Sequence, residues 1–310
     1  MDLLRQPLLA AARSTRLRKL AEGSRLTRPV VNRFVAGSDE DGALQATGEL
    51  VGNGLQVTLD FLGEDTTSLE QARQTVAAYR SVLAALASRG LAEHAEVSVK
   101  LSAIGQSLPG DGEKIALDGA REICQQAAAV GTTMTCDMED HTTTDATLGI
   151  VTELRADFPW VGAVLQAYLK RTEADCRDLA TAGSRIRLCK GAYAEPESVA
   201  FSGDAVEDSY QRCLKVLFAG AGYPMVASHD PAMISAAEAL VTEHGRSPDS
   251  YEFQMLYGIR PEEQRAIVAR GHRMRVYVPY GDEWYGYFVR RLAERPANLT
   301  FFLRSLAAKH

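Results

Sequence analysis

From residue 55 onward, short runs rich in apolar and β-branched side chains alternate with longer stretches whose apolar positions recur every third or fourth residue. The short runs are QVTLDFLG from Gln56, EVSVKLSA from Glu96, TMTCDME from Thr133 and GAVLQAYL from Gly162. RIRLCKGA from Arg185, MVASH from Met225, YEFQML from Tyr251 and RMRVYVPYG from Arg273 complete the set. Helical spacing predicts helices from Leu69 to Ser88, Leu117 to Ala129, Val206 to Ala219, Ala232 to Glu243 and Pro261 to Ala269. Strands alternating with helices make βαβ units and a parallel sheet. Eight such strands predict an α/β fold of the (β/α)8, TIM-barrel-like kind, regular or distorted.

The first 54 residues precede this rhythm and are read as a helical arm packing on the barrel, with residues 55–310 as the barrel itself. In MDLLRQPLLAAARSTRLRKL, the side chains of Leu3, Leu4, Leu8, Leu9 and Ala12 fall near one helical face. The same stretch is Arg-rich and nearly free of acids, a composition shared with transit peptides. The amphipathic helix is the reading adopted, and no secretory signal is present. A dinucleotide-binding doubly wound sheet is rejected. Its nearest glycine pattern, Gly52-Asn53-Gly54, stands before a strand and lacks the third glycine.

Composition changes this picture in two ways. Lys and Arg number 34 against 40 Asp and Glu, a formal net charge of −6, so a sequence-independent nucleic-acid binder is not expected. The five cysteines (Cys124, Cys136, Cys176, Cys189, Cys213) form no CxxC pair, which points to a reducing, cytoplasmic setting. No apolar stretch reaches the roughly 18 residues a membrane span needs.

In a barrel of this type, functional residues stand at the C-terminal strand ends. Here those ends are polar: Lys100, Asp137, Glu139, Gln166, Arg187, Lys190, His229, Glu252 and Gln254. Burying such groups without partners costs about 2–7 kcal/mol each for a neutral group and more for a charge, so their convergence favours a polar ligand. Strand alternation puts Asp137 and Glu139 on one face, and with Asp140 and His141 they could hold a divalent ion. No second His or Cys stands at ligand spacing, so hydrogen bonding is preferred and no metal is expected. Lys100 and Lys190 leave open a Schiff-base aldolase or lyase, and a non-catalytic ligand-binding barrel is a further alternative. Near the C-terminus, a helix expected from Asp282–Glu283 carries Tyr287, Arg290, Arg291 and Glu294. Glu294 can reach either arginine at three or four residues' spacing. The arginine pair is either a fork for a small carboxylate or a solvated pair on an outer face.

Taken together, these motifs resemble the FAD-dependent proline dehydrogenase family, in its short monofunctional bacterial form. The resemblance rests on LGE (Leu62–Glu64), VSVKLSA (Val97–Ala103), LQAYLKR (Leu165–Arg171), RLCKGAY (Arg187–Tyr193), SHD (Ser228–Asp230), YEFQML (Tyr251–Leu256) and Tyr277 with YFVRRLAE (Tyr287–Glu294). It implies that Lys100, Arg290 and Arg291 hold the carboxylate of L-proline, while Ala192, Leu256, Tyr277 and Tyr287 surround its ring. Asp137 resembles the aspartate that bonds the tyrosine at 277. The implied FAD site comprises Gln166, Arg187, Cys189, Lys190, Gly191, Ala192, Ser228 and His229, with Glu294 orienting the arginines and Glu64 as a gate. Arg187 is the candidate cation beside the flavin. The family transfers hydride to FAD N5 and electrons to a membrane quinone, which implies transient contact with the inner face of the membrane. Hydroxyproline-oxidising relatives carry a smaller residue where this chain has Tyr277, so L-proline is the expected substrate. Three departures stand out: Ala194 where some branches have a large aromatic, Cys189 where Val is common, and Ser228 where Thr is frequent.

Overall fold

The computed structural model describes residues 31, 33–63 and 66–287. Eight strands run parallel: β1 (Gln56–Phe61), β2 (Ala95–Lys100), β3 (Met134–Asp137), β4 (Gly162–Gln166), β5 (Arg185–Cys189), β6 (Tyr223–Ala227), β7 (Glu252–Leu256) and β8 (Met274–Tyr280). They pair in sequence order and close, β8 lying on β1 from Gln56↔Arg275 to Phe61↔Tyr280. Closure leaves no open sheet edge.

Helices α1 (Glu40–Gly52), α2 (Leu69–Ser88), α3 (Gly112–Ala129) and α4 (Thr144–Asp157) belong to the first half. Helices α5 (Thr172–Leu179), α6 (Asp204–Ala219), α7 (Pro231–Glu243) and α8 (Pro261–Ala269) belong to the second. Helix α2 has the limits its periodicity predicts. Ser68 accepts from Gln71 N at 3.2 Å, and Ala72, Val76, Tyr79, Leu83 and Leu86 form its buried stripe. Helix α3 starts before Leu117 because its first turn, GEKI, is mostly polar on both faces. Periodicity passes over α4 and α5, since α4 buries hydroxyls at Thr144 and Thr147, and α5 buries just Thr172 and Cys176.

The seam between β8 and β1 is covered from the N-terminal side. Helix α1, capped by Asp39 on Gly42 N at 2.9 Å, sends Ala43 and Leu44 into the main core. Ala36 N donates to Pro279 O at 2.9 Å and Gly281 N to Gly37 O at 3.0 Å, which stitches the preceding segment to β8. Gly258, at φ +72°, brings the loop after β7 so near that a Cβ there would lie 1.7 Å from Arg33 O. With the seam filled, the helical turn beginning at Trp284 packs elsewhere: Tyr287 joins Val31, Phe34, Val35 and Leu62 in a second apolar cluster.

Outward strand positions such as Val57, Val97, Ile186, Phe253 and Val276 meet the helices in the main core. The inward positions are polar, where barrels of this kind usually stack Val, Ile and Leu. Glu96, Glu252, Asp60 and Asp137 face Arg185, Arg187, Arg275 and Lys100, four anions against four cations. Glu96 accepts from Arg185 Nη2 at 2.7 Å, Thr133 at 2.6 Å and Thr58 at 3.0 Å, with Arg187 and Arg275 at 3.7 and 3.9 Å. Burial alone would raise its carboxyl; the arginines outweigh burial and hold it far below its ordinary 4.5. Glu252, fully buried, accepts from Arg275 Nε at 2.7 Å and Gln254 Nε2 at 2.6 Å, which makes it a structural partner.

Removing one partner of a buried ion network strands the others, at about 3–5 kcal/mol. Glu96→Gln is therefore expected to lower the melting temperature by about 10 °C, read by calorimetry. Because Glu96 is depressed in the folded state, its stabilisation is present above pH 4.5 and lost as pH falls. The acid limb of the stability profile should be shallower in the variant than in the parent.

Candidate active site

At the C-terminal mouth the last residue of β2, Lys100, sets its Nζ 2.9 and 2.8 Å from the two carboxylate oxygens of Asp60 and 3.7 Å from Asp137 Oδ2. Register explains the meeting: Asp60 lies beside Ser98 across β1 and β2, and Lys100 beside Asp137 across β2 and β3. Asp137 Oδ1 accepts from Arg187 Nη1 and Ser98 Oγ, both at 2.7 Å, and its Oδ2 from Tyr277 OH at 2.7 Å. Arg187 continues through Nε to Gln254 Oε1 at 2.6 Å, and its guanidinium stands 5.3 Å from the Tyr277 ring centre.

These contacts drive two neighbouring carboxyls apart. Burial raises Asp60, reinforced by Asp137 and only partly offset by Lys100. Burial would raise Asp137 as well, but Arg187 and Lys100 outweigh it and hold that carboxyl down. Asp60 is thus the member of the pair able to take a proton, while Asp137 stays an acceptor. Tyr277, pushed up by burial and by Asp137, stays a phenol and a donor.

The ends of β4 to β7 form the facing wall. Gln166 donates through Nε2 to Glu139 O at 2.7 Å, and its own carbonyl accepts from Thr172 Oγ1 at 2.6 Å. Cys189 Sγ lies 3.6 Å from Leu165 O. Lys190 Nζ bridges Asp230 at 2.8 Å and Glu207 at 3.0 Å; burial would lower it, but those two hydrogen bonds leave it raised above an ordinary amine. Gly191 has φ +108°, and a Cβ on it would fall 2.2 Å from the Tyr168 ring. Ala192 follows it, half-buried. Ser228 Oγ accepts from Asp230 N at 3.1 Å, and His229 Nε2 from Leu256 N at 2.9 Å. Leu256 pairs with Tyr277 across β7 and β8, and Tyr287 is buried beside Leu62. Glu64, Arg290, Arg291, Glu294 and residues 1–30 lie outside the described residues.

One expectation is corrected. Strand β3 ends at Asp137, so Glu139 does not share a strand face with it. Its carboxylate turns instead to Ser102, accepting from N at 3.0 Å and from Oγ at 2.6 Å. Asp140 accepts from Thr142 N at 2.9 Å, and Glu195 accepts from His141 through both its backbone and its ring. The acidic cluster read from the sequence is thus dispersed among separate partners. Among the described residues, no group of three or more His, Cys, Asp or Glu is arranged to hold a metal ion, and no helix is long and apolar enough to cross a membrane.

Sequence reading missed Asp60, Ser98, Glu195 and Arg260. Asp60 was within reach, because it has the inward parity of QVTLDF near the strand's end. Arg260 carried no signal: it takes a left-handed backbone (φ 49°) and holds His229 O through Nη1 at 2.7 Å.

Comparison with known proteins points to one family. The family model "Proline dehydrogenase" matches residues 43–304. The chain is 38% identical over 308 residues to "Proline dehydrogenase 1" of Bacillus subtilis (strain 168), covering 99% of this chain and 100% of the relative. It is 37% identical over 308 residues to "Proline dehydrogenase" of Deinococcus radiodurans, covering 98% of each. Among solved structures, proline utilization A from Bdellovibrio bacteriovorus, inactivated by N-propargylglycine, superposes with a TM-score of 0.79 at 26% identity. That match spans 86% of this chain and 32% of the longer one.

Gly191→Ala must displace the Tyr168 ring, whose hydroxyl donates to Glu195 at 3.0 Å, and must also hold a side chain at φ +108°. A loss of about 1–3 kcal/mol is expected from such strain. The exposed helical Gly149, with open space around it, supplies the control. Gly149→Ala should gain about 0.5–1 kcal/mol. Equal melting temperatures for the two variants would refute the close approach.

Proposed function

This chain belongs to the proline dehydrogenase family, and from that premise we propose that it oxidises L-proline to Δ1-pyrroline-5-carboxylate with FAD as its resident cofactor. The observation that carries the reading is the Lys100–Asp137–Tyr277 cluster at the C-terminal mouth: a held ammonium beside a fixed phenol. Lys100 binds the substrate carboxylate while Asp60 keeps its Nζ in place. Arg290 and Arg291 supply the other two legs of a carboxylate tripod, with Glu294 orienting them. Each charge-assisted bond contributes about 1.5–3 kcal/mol. Tyr277, tied to Asp137, forms one wall of the ring pocket with Leu256, Tyr287 and Ala192, and Glu64 closes the mouth.

The donors on β4 to β6 suit a flavin dinucleotide. Lys190 gives a cation for a diphosphate, Ser228 keeps a hydroxyl proton to donate, and Gln166 at the end of β4 and His229 after β6 flank the end of β5. Cys189, Gly191 and Ala192 form the turn between them, and the bare Cα of Gly191 permits close approach. Arg187 adds a buried cation whose Nη2 has no hydrogen-bond partner among the described residues. When bound, FAD supplies the acceptor for the hydride leaving the ring carbon beside the amine. The protein's own task is positioning and exclusion of water.

A Schiff-base aldolase needs a neutral amine. Lys190 lies between two carboxylates and is held protonated, and Lys100 is ion-paired to Asp60, so neither lysine favours that alternative. Nor does a binding-only barrel account for the tripod and donor ring together. Electrons then pass to a membrane quinone, with the Arg-rich residues 1–20 touching the inner face of the membrane of a cytoplasmic, peripheral enzyme.

Purified protein should carry flavin absorption bands that bleach on anaerobic addition of L-proline; protein that takes up no FAD would remove the proposal. Arg291→Met is expected to raise the proline KM by at least about tenfold, the cost of one charge-assisted bond, with FAD retained. Tyr277→Ser should slow proline turnover and improve hydroxyproline relative to it, and unchanged selectivity in steady-state kinetics would discard this pocket wall.

A further inference from the structure

The opposite, N-terminal mouth of the barrel opens into a cavity of 540 Å³, within the size range of small-ligand sites. Three guanidiniums line it, from Arg185, Arg273 and Arg275, together with His94, Thr133 and Tyr223. A lining of this kind offers an apolar ligand little and an anion much. The role described above for the barrel uses none of these groups.

At this mouth one cation, Arg273 just before β8, stands outside the balanced set. Arg185 and Arg275 belong to the balanced set of four anions and four cations. Arg273 does not: among the described residues its guanidinium makes one hydrogen bond, from Nη1 to Tyr223 OH at 3.0 Å, and no carboxylate lies within ion-pair distance. The paired arginines also have capacity left. Arg275 donates through Nε to Glu252 and through Nη1 to Val57 O at 2.8 Å, and its Nη2 bonds to nothing among the described residues. Arg185 donates through Nη1 and Nη2, and its Nε is likewise without an acceptor among them. These nitrogens are not sealed away, since the buried atoms left without a hydrogen bond include none of them. Glu96 offers no competition, because two arginines at longer range and three hydroxyls besides Arg185 already engage it. Glu93, the other acid on the lining, is exposed at the rim.

We propose that this cavity is a binding site for a small oxyanion, a carboxylate or phosphate, gripped by the guanidinium forks of Arg273 and Arg275 at the end of the barrel opposite Lys100. Planar donor pairs match the two oxygens of such a group, and partial burial protects the interaction from screening. Tyr223, whose hydroxyl donates to Glu252 at 3.1 Å while accepting from Arg273, sets the fork's position. The site uses none of the groups assigned above to substrate or cofactor.

Thermal denaturation of the flavin-loaded protein with acetate, succinate or inorganic phosphate, each compared with chloride at equal ionic strength, tests the proposal. At about ten times the dissociation constant, a saturable rise of about 2 °C is expected. General salting-out also stabilises proteins, so Arg273→Met is the decisive control. It should abolish the saturable rise, while Arg273→Lys, which keeps the charge and loses the fork, retains part of it and serves if the Met variant does not fold. Proline turnover without added anion should be unchanged in both variants. The anion with the larger effect identifies whether carboxylate or phosphate is preferred. No rise above chloride in the parent protein, or an equal rise in parent and Arg273→Met, overturns the proposal.

Discussion

A charge placed inside a barrel must find an opposite charge within a few ångströms or cost several kcal/mol, and this barrel places eight of them there. That constraint shapes the rest of the molecule. Arg275, Glu252, Gln254, Arg187 and Asp137 form a continuous hydrogen-bonded column with every link between 2.6 and 2.7 Å. Its upper end is the phenol of Tyr277 and the ammonium of Lys100. An apolar interior of the same volume would be at least as stable. The ionic interior instead fixes the direction and protonation of the groups at the mouth, a use of buried charge consistent with specificity rather than stability.

Asp137 is where that column meets the candidate site. One of its oxygens belongs to Arg187 and Ser98, the other to Tyr277. With both oxygens engaged it can position but has little left for a ligand. Asp60 is built differently. Both of its oxygens rest on one lysine, and burial raises its carboxyl. In the proposed reading, a substrate carboxylate at Lys100 would share the ammonium with Asp60.

The second organising feature is the covering of the β8–β1 seam by α1. That position is filled by a helix preceding the barrel, and the described turn after β8 lies elsewhere. It packs Tyr287 against Val31, Phe34, Val35 and Leu62. Gly258 is the point on which this depends sterically, since its bare Cα is what allows the backbone of Arg33 to pass.

Much of this was legible in the chain itself. The strand runs, the limits of α2 and α8, and the polar character of the strand ends all follow from side-chain periods of 2 and 3.6, which are set by neighbours a few residues away. What periodicity could not decide is which strand ends meet. Tyr277 and Asp137 are 140 residues apart in the chain, and Arg275 and Val57 are 218. Closure of β8 onto β1 and the stagger between strands bring them together. The same stagger took Asp60 to Lys100 and ended β3 before Glu139, so one carboxylate entered the site unannounced and another, expected there, became a loop cap. Helices α4 and α5 escaped notice because the first half of α4 buries hydroxyls, at Thr144 and Thr147, ahead of Ile150, Val151 and Leu154, and the short α5 buries just Thr172 and Cys176. The sequence by itself determined the eight strands, most of the helices and the chemistry of the strand ends; the tertiary structure alone decided the partners, because a charge's partner is set by distance in space and not by position in the chain.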